Sequence, residues 1–460
     1  MARGARSRQR LQAKTPIGRM VANTAWLLGG KGFGALCGLV YLAILTRTLG
    51  LKGFGHFSLI VGTAQALIAI AGFQTWRVVV RYGAPHIHAG DWRNFGRLGM
   101  LCGLLDAVGA VVGCVIAYVV IYGFGDMLGI NPAFKDTAFL FNCAMVMALV
   151  SAPTGIVRAL DRFDMAVYVE AVVPTGRLLA AVAIWMTGPS VARFLFAWAA
   201  IDLIEAALYW VMARRLCPEA VRLRHVGEWR EALRANPGVE RFFLITYASS
   251  TLEALVRNGP LLAVGALVST RAAGLYRLAN QLTQAMSKLS TLLTRAVYAE
   301  VSRARVATAA EEFRKLAAQT SMIAAVAGAL VVSIALAFGD DLLVLVGGAA
   351  FAHGQAILVP LAIAASFDLA SVAFEPVLHS IGRARYALMA RCAAVLALAL
   401  ALLPLIHLHK AVGAAWAVAI GGAVSYVAMG LMARYTLRRL DQGESVQAEA
   451  ASLSDPRSEG

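Results

Sequence analysis

Charge is scarce in this sequence. Asp, Glu, Lys and Arg make up 15% of its 460 residues, where soluble domains carry about a quarter. With 59% apolar residues and a mean hydropathy of +0.69, there is more apolar surface than an aqueous fold can hide. Cysteine is also sparse. Cys37, Cys102, Cys114, Cys143, Cys217 and Cys392 are scattered without pairing or metal-ligand spacing, which excludes a disulfide framework or a thiolate metal centre and leaves small core residues. His86 and His88 are two apart, as are His407 and His409, and such positions face apart on a helix, so neither pair makes a metal site. Acids are the rarest charge, 26 against 42 Lys and Arg for a net +16.

What is abundant is the long apolar run. A helix of about 20 residues crosses about 30 Å of hydrocarbon. Such runs fall near 21–46, 55–80, 98–123, 137–157, 165–187, 194–212, 242–268, 272–294, 316–338, 355–379, 386–406 and 412–433, predicting an all-α polytopic membrane protein with twelve transmembrane helices. The first run comes after a long basic leader and lacks a small-residue cleavage site, so it is expected to be a retained span rather than a signal peptide.

Most of the basic residues lie in alternate loops, which sets the sidedness. Arg3 to Arg19 precede the first span and the 213–241 loop is rich in arginine, whereas the opposite loops hold only Arg47, Lys52, Lys135, Arg193, Arg271 and Lys410. Both termini are therefore expected in the cytoplasm. The positive net charge has this loop origin, and no nucleic-acid partner is implied.

Two signals recur at a nearly constant offset. Thr46-Arg47 with Gly53-Phe54-Gly55 after it is echoed by Thr270-Arg271 with Gly274-Leu275-Tyr276 after it. Leu160-Asp161-Arg162-Phe163-Asp164 resembles Ile381-Gly382-Arg383-Ala384-Arg385. This predicts two six-helix lobes of like orientation, related by an axis along the membrane normal. The expected organisation is a basic leader at 1–20, a first lobe at 21–212, a basic linker at 213–241 broken at Pro218 and Asn236-Pro237-Gly238, a second lobe at 242–434, and a polar, disordered tail at 435–460.

Ionisable residues inside spans are costly and normally face a bundle interior or a wet cavity. In the eighth span Arg277, Asn280, Gln284, Lys288, Thr291 and Arg295 share an arc of about 80°. In the seventh, Thr246, Ser250, Glu253 and Arg257 share about 60°, and Asn258-Gly259-Pro260 is expected to interrupt the helix. The first span carries Lys31 on the face of Gly30, Gly34 and Gly38, a ridge that permits close helix approach. The second ends with Gln74, Arg77 and Arg81. Cations thus gather on the first, second, seventh and eighth spans (Lys31, Arg77, Arg257, Arg277 and Lys288, against Glu253). The remaining spans hold Arg177 against Asp106, Glu170, Asp202, Glu205, Asp368 and Glu375.

Each of these admits two readings. Glu253 and Arg257, at i and i+4, either neutralise each other or serve a cavity. Arg77, Arg277 and Arg295 either snorkel to headgroups or bind substrate. Asp106, Asp202 and Glu205 serve either proton coupling or helix–helix hydrogen bonding. Lys31 and Lys288 sit deeper without a local partner and read as cavity residues.

Arg47-Thr48-Leu49-Gly50 with Gly53-Phe54-Gly55, Arg158-Ala159-Leu160-Asp161-Arg162-Phe163-Asp164, and Ala273-Gly274-Leu275-Tyr276 resemble the Wzx-like polysaccharide and O-antigen flippases of the multidrug/oligosaccharidyl-lipid/polysaccharide exporter superfamily. The likeness extends from about Asn23 to Arg434. It implies two six-helix lobes around a cavity lined by the first, second, seventh and eighth spans, with alternating-access transport of undecaprenyl-diphosphate-linked oligosaccharide for surface polysaccharide such as lipopolysaccharide. Arg47 takes the family's arginine position. Lys31, Arg257 and Lys288 are substrate ligands by helix geometry, Arg77 is a further candidate ligand, and Asn280, Gln284 and Thr291 are placed to meet sugar hydroxyls. Glu253 and Asp106 are the candidates for ion coupling. No cofactor or metal is implied beyond a coupling H⁺ or Na⁺. The partners implied are the lipid-linked oligosaccharide, membrane lipids, and the polymerase and glycosyltransferases of the same pathway.

Rival readings are a drug or organic-cation antiporter, which would want an acidic, aromatic cavity, and a peptidoglycan-precursor flippase, which usually carries extra carboxy-terminal spans. A membrane glycosyl- or acyltransferase would need a loop with clustered Asp or His, and no loop here has one.

Overall fold

In a computed structural model of the protein, the described residues are 16–303, 310–371, 374 and 384–453, with side chains described within 34–288 (163 and 164 excepted), 322–371, 374 and 389–435. Among them there is helix and turn but no strand. The helices are α1 (Pro16–Ala71), α2 (Thr75–His88), α3 (Trp92–Tyr118), α4 (Lys135–Met147), α5 (Ser151–Ala159), α6 (Phe163–Thr187), α7 (Val191–Leu216), α8 (Trp229–Ala235), α9 (Val239–Leu267), α10 (Thr270–Arg303), α11 (Ala310–Gly347), α12 (Gln355–Ser371) and α13 (Ala384–Leu453). Local chemistry sets many of their ends. Asp91 caps α3 by accepting from Asn94 N at 3.1 Å, and Gly188, at φ 119, ends α6 in a conformation that favours glycine.

Seven stretches among the described residues are long and apolar enough to cross a membrane, in regions spanning Gly34–His88, Trp92–Gly123, Pro132–Ala159, Met165–Thr187, Val191–Leu216, Met322–Gly347 and Met389–Tyr435. Backbone breaks within these stretches include those at Gly50 (φ 64), Phe338 (φ −129) and Lys410 (φ 55). The chain is an all-helical, multi-span membrane protein. Consistent with that solvent, Val111, Leu179, Trp185 and Met186 point outward and are more than half exposed, which in water would be a liability.

Several expectations need correction. The run at 55–80 is not one helix: α1 ends at Ala71 and α2 begins at Thr75, with Gln74 at φ 50 between them. The run at 137–157 is likewise split into α4 and α5. Conversely, α9 runs unbroken through Asn258-Gly259-Pro260. Proline removes only one donor there, the one that would serve the Val256 carbonyl, and the helix continues past it; the Asn258 side-chain amide donates to the Ala254 carbonyl at 3.1 Å. The polar tail is helical as far as Leu453, its alanines, glutamates and glutamine being good helix formers. The second copy of the Arg162 motif falls mostly on Ile381 to Arg383, outside the described residues.

Two compact units are present. The first runs to Asn258 and includes Leu345–Ala350; the second comprises Gly259–Val344 and the chain from Phe351. In the first unit α1 packs on α4, α6 and α7, while α2 and α3 pack on each other and on α5. The stretch expected as a linker is folded here: Pro218–Val221, Leu223–Val226 and α8 all lie against α3. In the second unit α12 lies between α10 and α13. Its contacts are close because small residues meet, Gly328 against Ser366 and Gly422 against Ala364.

Glycines also allow the close approaches in the first unit. A Cβ on Gly109 of α3 would run into the Ala71 carbonyl oxygen, and one on Gly113 would lie 2.9 Å from Ala71 Cβ. A Cβ on Gly155 of α5 would sit 2.8 Å from Trp76 Cα. On the predicted glycine ridge, by contrast, Gly34 meets only Pro174 and Gly38 meets nothing within 4 Å. Gly109→Val is therefore expected to cost about 1–3 kcal/mol through overpacking, and Gly38→Ala close to nothing. Thermal unfolding of the purified variants in detergent checks both, and equal midpoints would contradict the packing described.

Candidate functional site

The break between α1 and α2 lies within the first of the apolar stretches, Gly34–His88. Interrupting a helix in hydrocarbon strands backbone carbonyls on one side and amides on the other, and each unpaired group costs several kcal/mol. The first unit supplies partners for them. Two side chains of α9 reach the end of α1: the Tyr247 hydroxyl donates to Ile70 O at 2.5 Å, and the Thr251 hydroxyl to Ala69 O at 2.9 Å. On the other side, Trp76 N donates to Ser151 Oγ at 2.9 Å, and Arg77 N closes a turn on Gln74 O at 3.2 Å.

Asp106 of α3 joins this break to the one between α4 and α5. Its carboxylate accepts from Thr75 Oγ1 at 2.8 Å and from Ala152 N at 2.7 Å. It is 8% exposed. One acid thus caps α5 through a backbone amide and ties the start of α2 to it through the Thr75 hydroxyl, which is why it tolerates a position deep inside the bundle.

Beyond the break the surface is cationic and aromatic. Trp76 is flanked by Arg77, 5.4 Å from its ring centroid, and by Arg158, at 4.8 Å. Arg81 lies 4.4 Å from the Phe242 ring. Arg158 is paired with Glu170 at 3.2 Å. For Arg77 the described residues provide a ring and no carboxylate. Elsewhere in the unit the Arg177 guanidinium binds Asp202 at 2.6 and 2.9 Å and stacks 3.7 Å from the Trp198 ring centroid. That pair holds α6 to α7 and uses up both charges.

The other residues singled out in the sequence are spread over both units. Arg47 donates to Leu345 O at 2.6 Å, beside a bond from Thr46 Oγ1 to Val346 O at 3.0 Å, so it braces the carboxy-terminal end of α11. Glu253 and Arg257 form an i, i+4 ion pair at 3.2 Å, both about half exposed. In the second unit Asn280, Gln284 and Lys288 succeed one another along α10, with Gln284 Nε2 donating to Asn280 Oδ1 at 3.4 Å and Lys288 exposed. The Lys31 side chain lies outside the described residues, as do those of Thr291, Arg295 and Glu375. Asp106, Thr75, Ser151, Tyr247 and Thr251 are the residues that the structure brings together. Of these only Asp106 stands out in the sequence, although Pro153 in the first turn of α5 is a legible helix-start signal.

An all-helical, multi-span fold with a helix broken inside a span defines a class of integral membrane protein found among transporters. The chain belongs to the family of polysaccharide biosynthesis proteins, whose profile matches residues 20–304. It is similar to inner membrane protein YghQ of Escherichia coli strain K12, 27% identical over 335 residues that cover 72% of this chain and 92% of that protein. Among solved structures it shares its fold with an inward-facing multidrug resistance MATE family transporter, at a TM-score of 0.66 and 16% identity over 89% of this chain and 96% of that one. The lipid II flippase MurJ, in an inward closed conformation, gives a TM-score of 0.67 at 10% identity over 93% of this chain and 92% of that one. At these identities the likeness to both transporters is one of fold.

Removing the partners of the break should destabilise the first unit. Tyr247→Phe and Thr251→Val each leave a carbonyl unpaired, at a cost of about 1–3 kcal/mol. Asp106→Ala, which strips acceptors from both Thr75 and Ala152, should cost more than either. Unfolding midpoints in detergent rank the three, and an Asp106→Ala protein as stable as the parent would remove Asp106 as the shared cap.

Proposed function

We propose that this protein is a flippase that moves undecaprenyl-diphosphate-linked oligosaccharide across the bacterial cytoplasmic membrane by alternating access, for surface polysaccharide synthesis. The observation that carries the reading, beside the family, is the sign of the available charge. Arg77 and Lys288 have no carboxylate partner among the described residues, whereas Asp202 and Glu253 are each bound by an arginine. A diphosphate is costly to desolvate, and guanidinium and ammonium groups replace its water with charge-assisted hydrogen bonds. Lys31, Arg47 and Arg257 belong to the same assignment, with Asn280 and Gln284 toward the sugars. Trp76, with guanidiniums on either side, suits a sugar face beside a phosphate.

An antiporter of organic cations is the rival on the same fold, and it needs available acid at the substrate, where Arg77 and Lys288 offer base. Coupling to H⁺ or Na⁺ through Glu253 or Asp106 is part of the proposal. So are cytoplasmic termini, which the basic loops favour, and the lipopolysaccharide-type polymerase and glycosyltransferases as pathway partners. Deleting the gene should deplete surface glycan and leave lipid-linked oligosaccharide on the cytoplasmic side; unchanged surface glycan with no accumulated intermediate overturns the reading. Losing one charge-assisted bond, worth about 1.5–3 kcal/mol, makes Arg77→Gln and Lys288→Glu roughly tenfold or more slower in export at unchanged membrane abundance. Normal export in either variant removes that residue from the headgroup site.

A further inference from the structure

After α7 the chain folds back on the start of α3 instead of leaving as a free loop. Gly96 provides the seat, since a Cβ there would lie 2.5 Å from the Glu219 carbonyl oxygen and 3.1 Å from the His225 ring. His225 is fully buried between two carboxylates. Its Nε2 lies 3.3 Å from Glu219 Oε1, and its Nδ1 lies 3.5 Å from Glu228 Oε2. Glu228 also takes the Arg97 guanidinium and, at 3.7 Å, that of Arg93, both from α3. Glu219 takes Arg222 at 2.9 Å and Arg224 at 2.7 Å. These two carboxylates and four guanidiniums are the charged groups around the ring.

A neutral imidazole has one N–H and can serve only one of the carboxylates, turning a lone pair toward the other. Nδ1 is the nitrogen without a hydrogen-bond partner. An imidazolium has two N–H groups and serves both. We propose that residues 217–228 are a proton-sensitive latch on the amino-terminal end of α3, closed when His225 carries both protons and loosened when it loses one. The Arg97 hydrogen bond holds the Glu228 carboxyl below the usual carboxylate range, so it remains an acceptor across the general interval, about pH 5–8, in which a histidine side chain can change charge. Stability gained from a proton is present at the acid end of that interval and lost as pH rises.

The latch matters because of its place in the chain, just ahead of α8 and α9. Asn236 Oδ1 lies 3.0 Å from His86 Nε2, and Phe242 stacks edge-on against Tyr82 at 5.8 Å. Next along α9 come Tyr247 and Thr251, which hold the end of α1. Release at 217–228 thus loosens the connection leading into the helix that supports the intramembrane break.

Hydrogen–deuterium exchange on the full-length protein in lipid nanodiscs tests this, with rates corrected for intrinsic exchange. Protection of the 217–228 amides should fall roughly fivefold or more between about pH 6 and pH 8, with no such change in α6, which has no histidine. His225→Gln, which keeps a donor but cannot gain a second proton, should be flat at the high-pH level. Should that variant fail to insert, Glu228→Gln should flatten the profile by removing the charge that holds the second proton. Unchanged wild-type protection across the interval, or a wild-type profile in either variant, overturns the latch.

Discussion

In hydrocarbon the backbone has no water to fall back on, and the first unit is organised around that constraint at one place. The chain interrupts a helix at Gly72–Gln74, and the freed groups must be paired by protein. Tyr247, Thr251 and Ser151 each supply one bond, and Asp106 ties the second half-helix to α5. The helix arrangement is a consequence. Bringing α3 and α5 close enough requires Gly109, Gly113 and Gly155, and α9 must pass beside the end of α1. Asp106 is buried because two breaks, the one before α2 and the one before α5, give it donors to accept from.

The same economy sorts the charges. Where a carboxylate and a guanidinium meet inside the unit, as in Arg177 with Asp202 over Trp198, the pair is spent on holding α6 to α7. Cations placed against a ring with no carboxylate bound to them keep their charge available, since an aromatic face attracts a guanidinium without neutralising it. Arg77 beside Trp76 and Arg81 beside Phe242 are of this second kind. That difference separates structural from available charge, and residue type alone does not reveal it. The proposed transport of an anionic, lipid-linked glycan draws on the second group. The proposed latch at His225 belongs to a third setting, outside the spans, where a proton decides how many carboxylates one ring can satisfy.

The sequence by itself determined the solvent and the secondary structure. Composition and run length require helices in a membrane, and the residues of the Arg47 and Arg158 motifs carry the family likeness. The Glu253–Arg257 pair was also legible, because four residues along a helix is a local distance. Continuity was not. Positions 55–80 and 137–157 read as unbroken spans because hydropathy measures how well a segment tolerates hydrocarbon and says nothing of where its backbone bonds go. At Asn258-Gly259-Pro260 the error ran the other way: the residues signal a break, yet the helix runs on through them. Arg47 conforms to a family motif in sequence, but its use as a brace on the Leu345 carbonyl depends on a residue 298 positions away. Tertiary structure decided these points for one physical reason. A helix can stop inside a membrane only where distant side chains complete its hydrogen bonds, and only the folded chain brings Tyr247, Thr251, Ser151 and Asp106 to the same break.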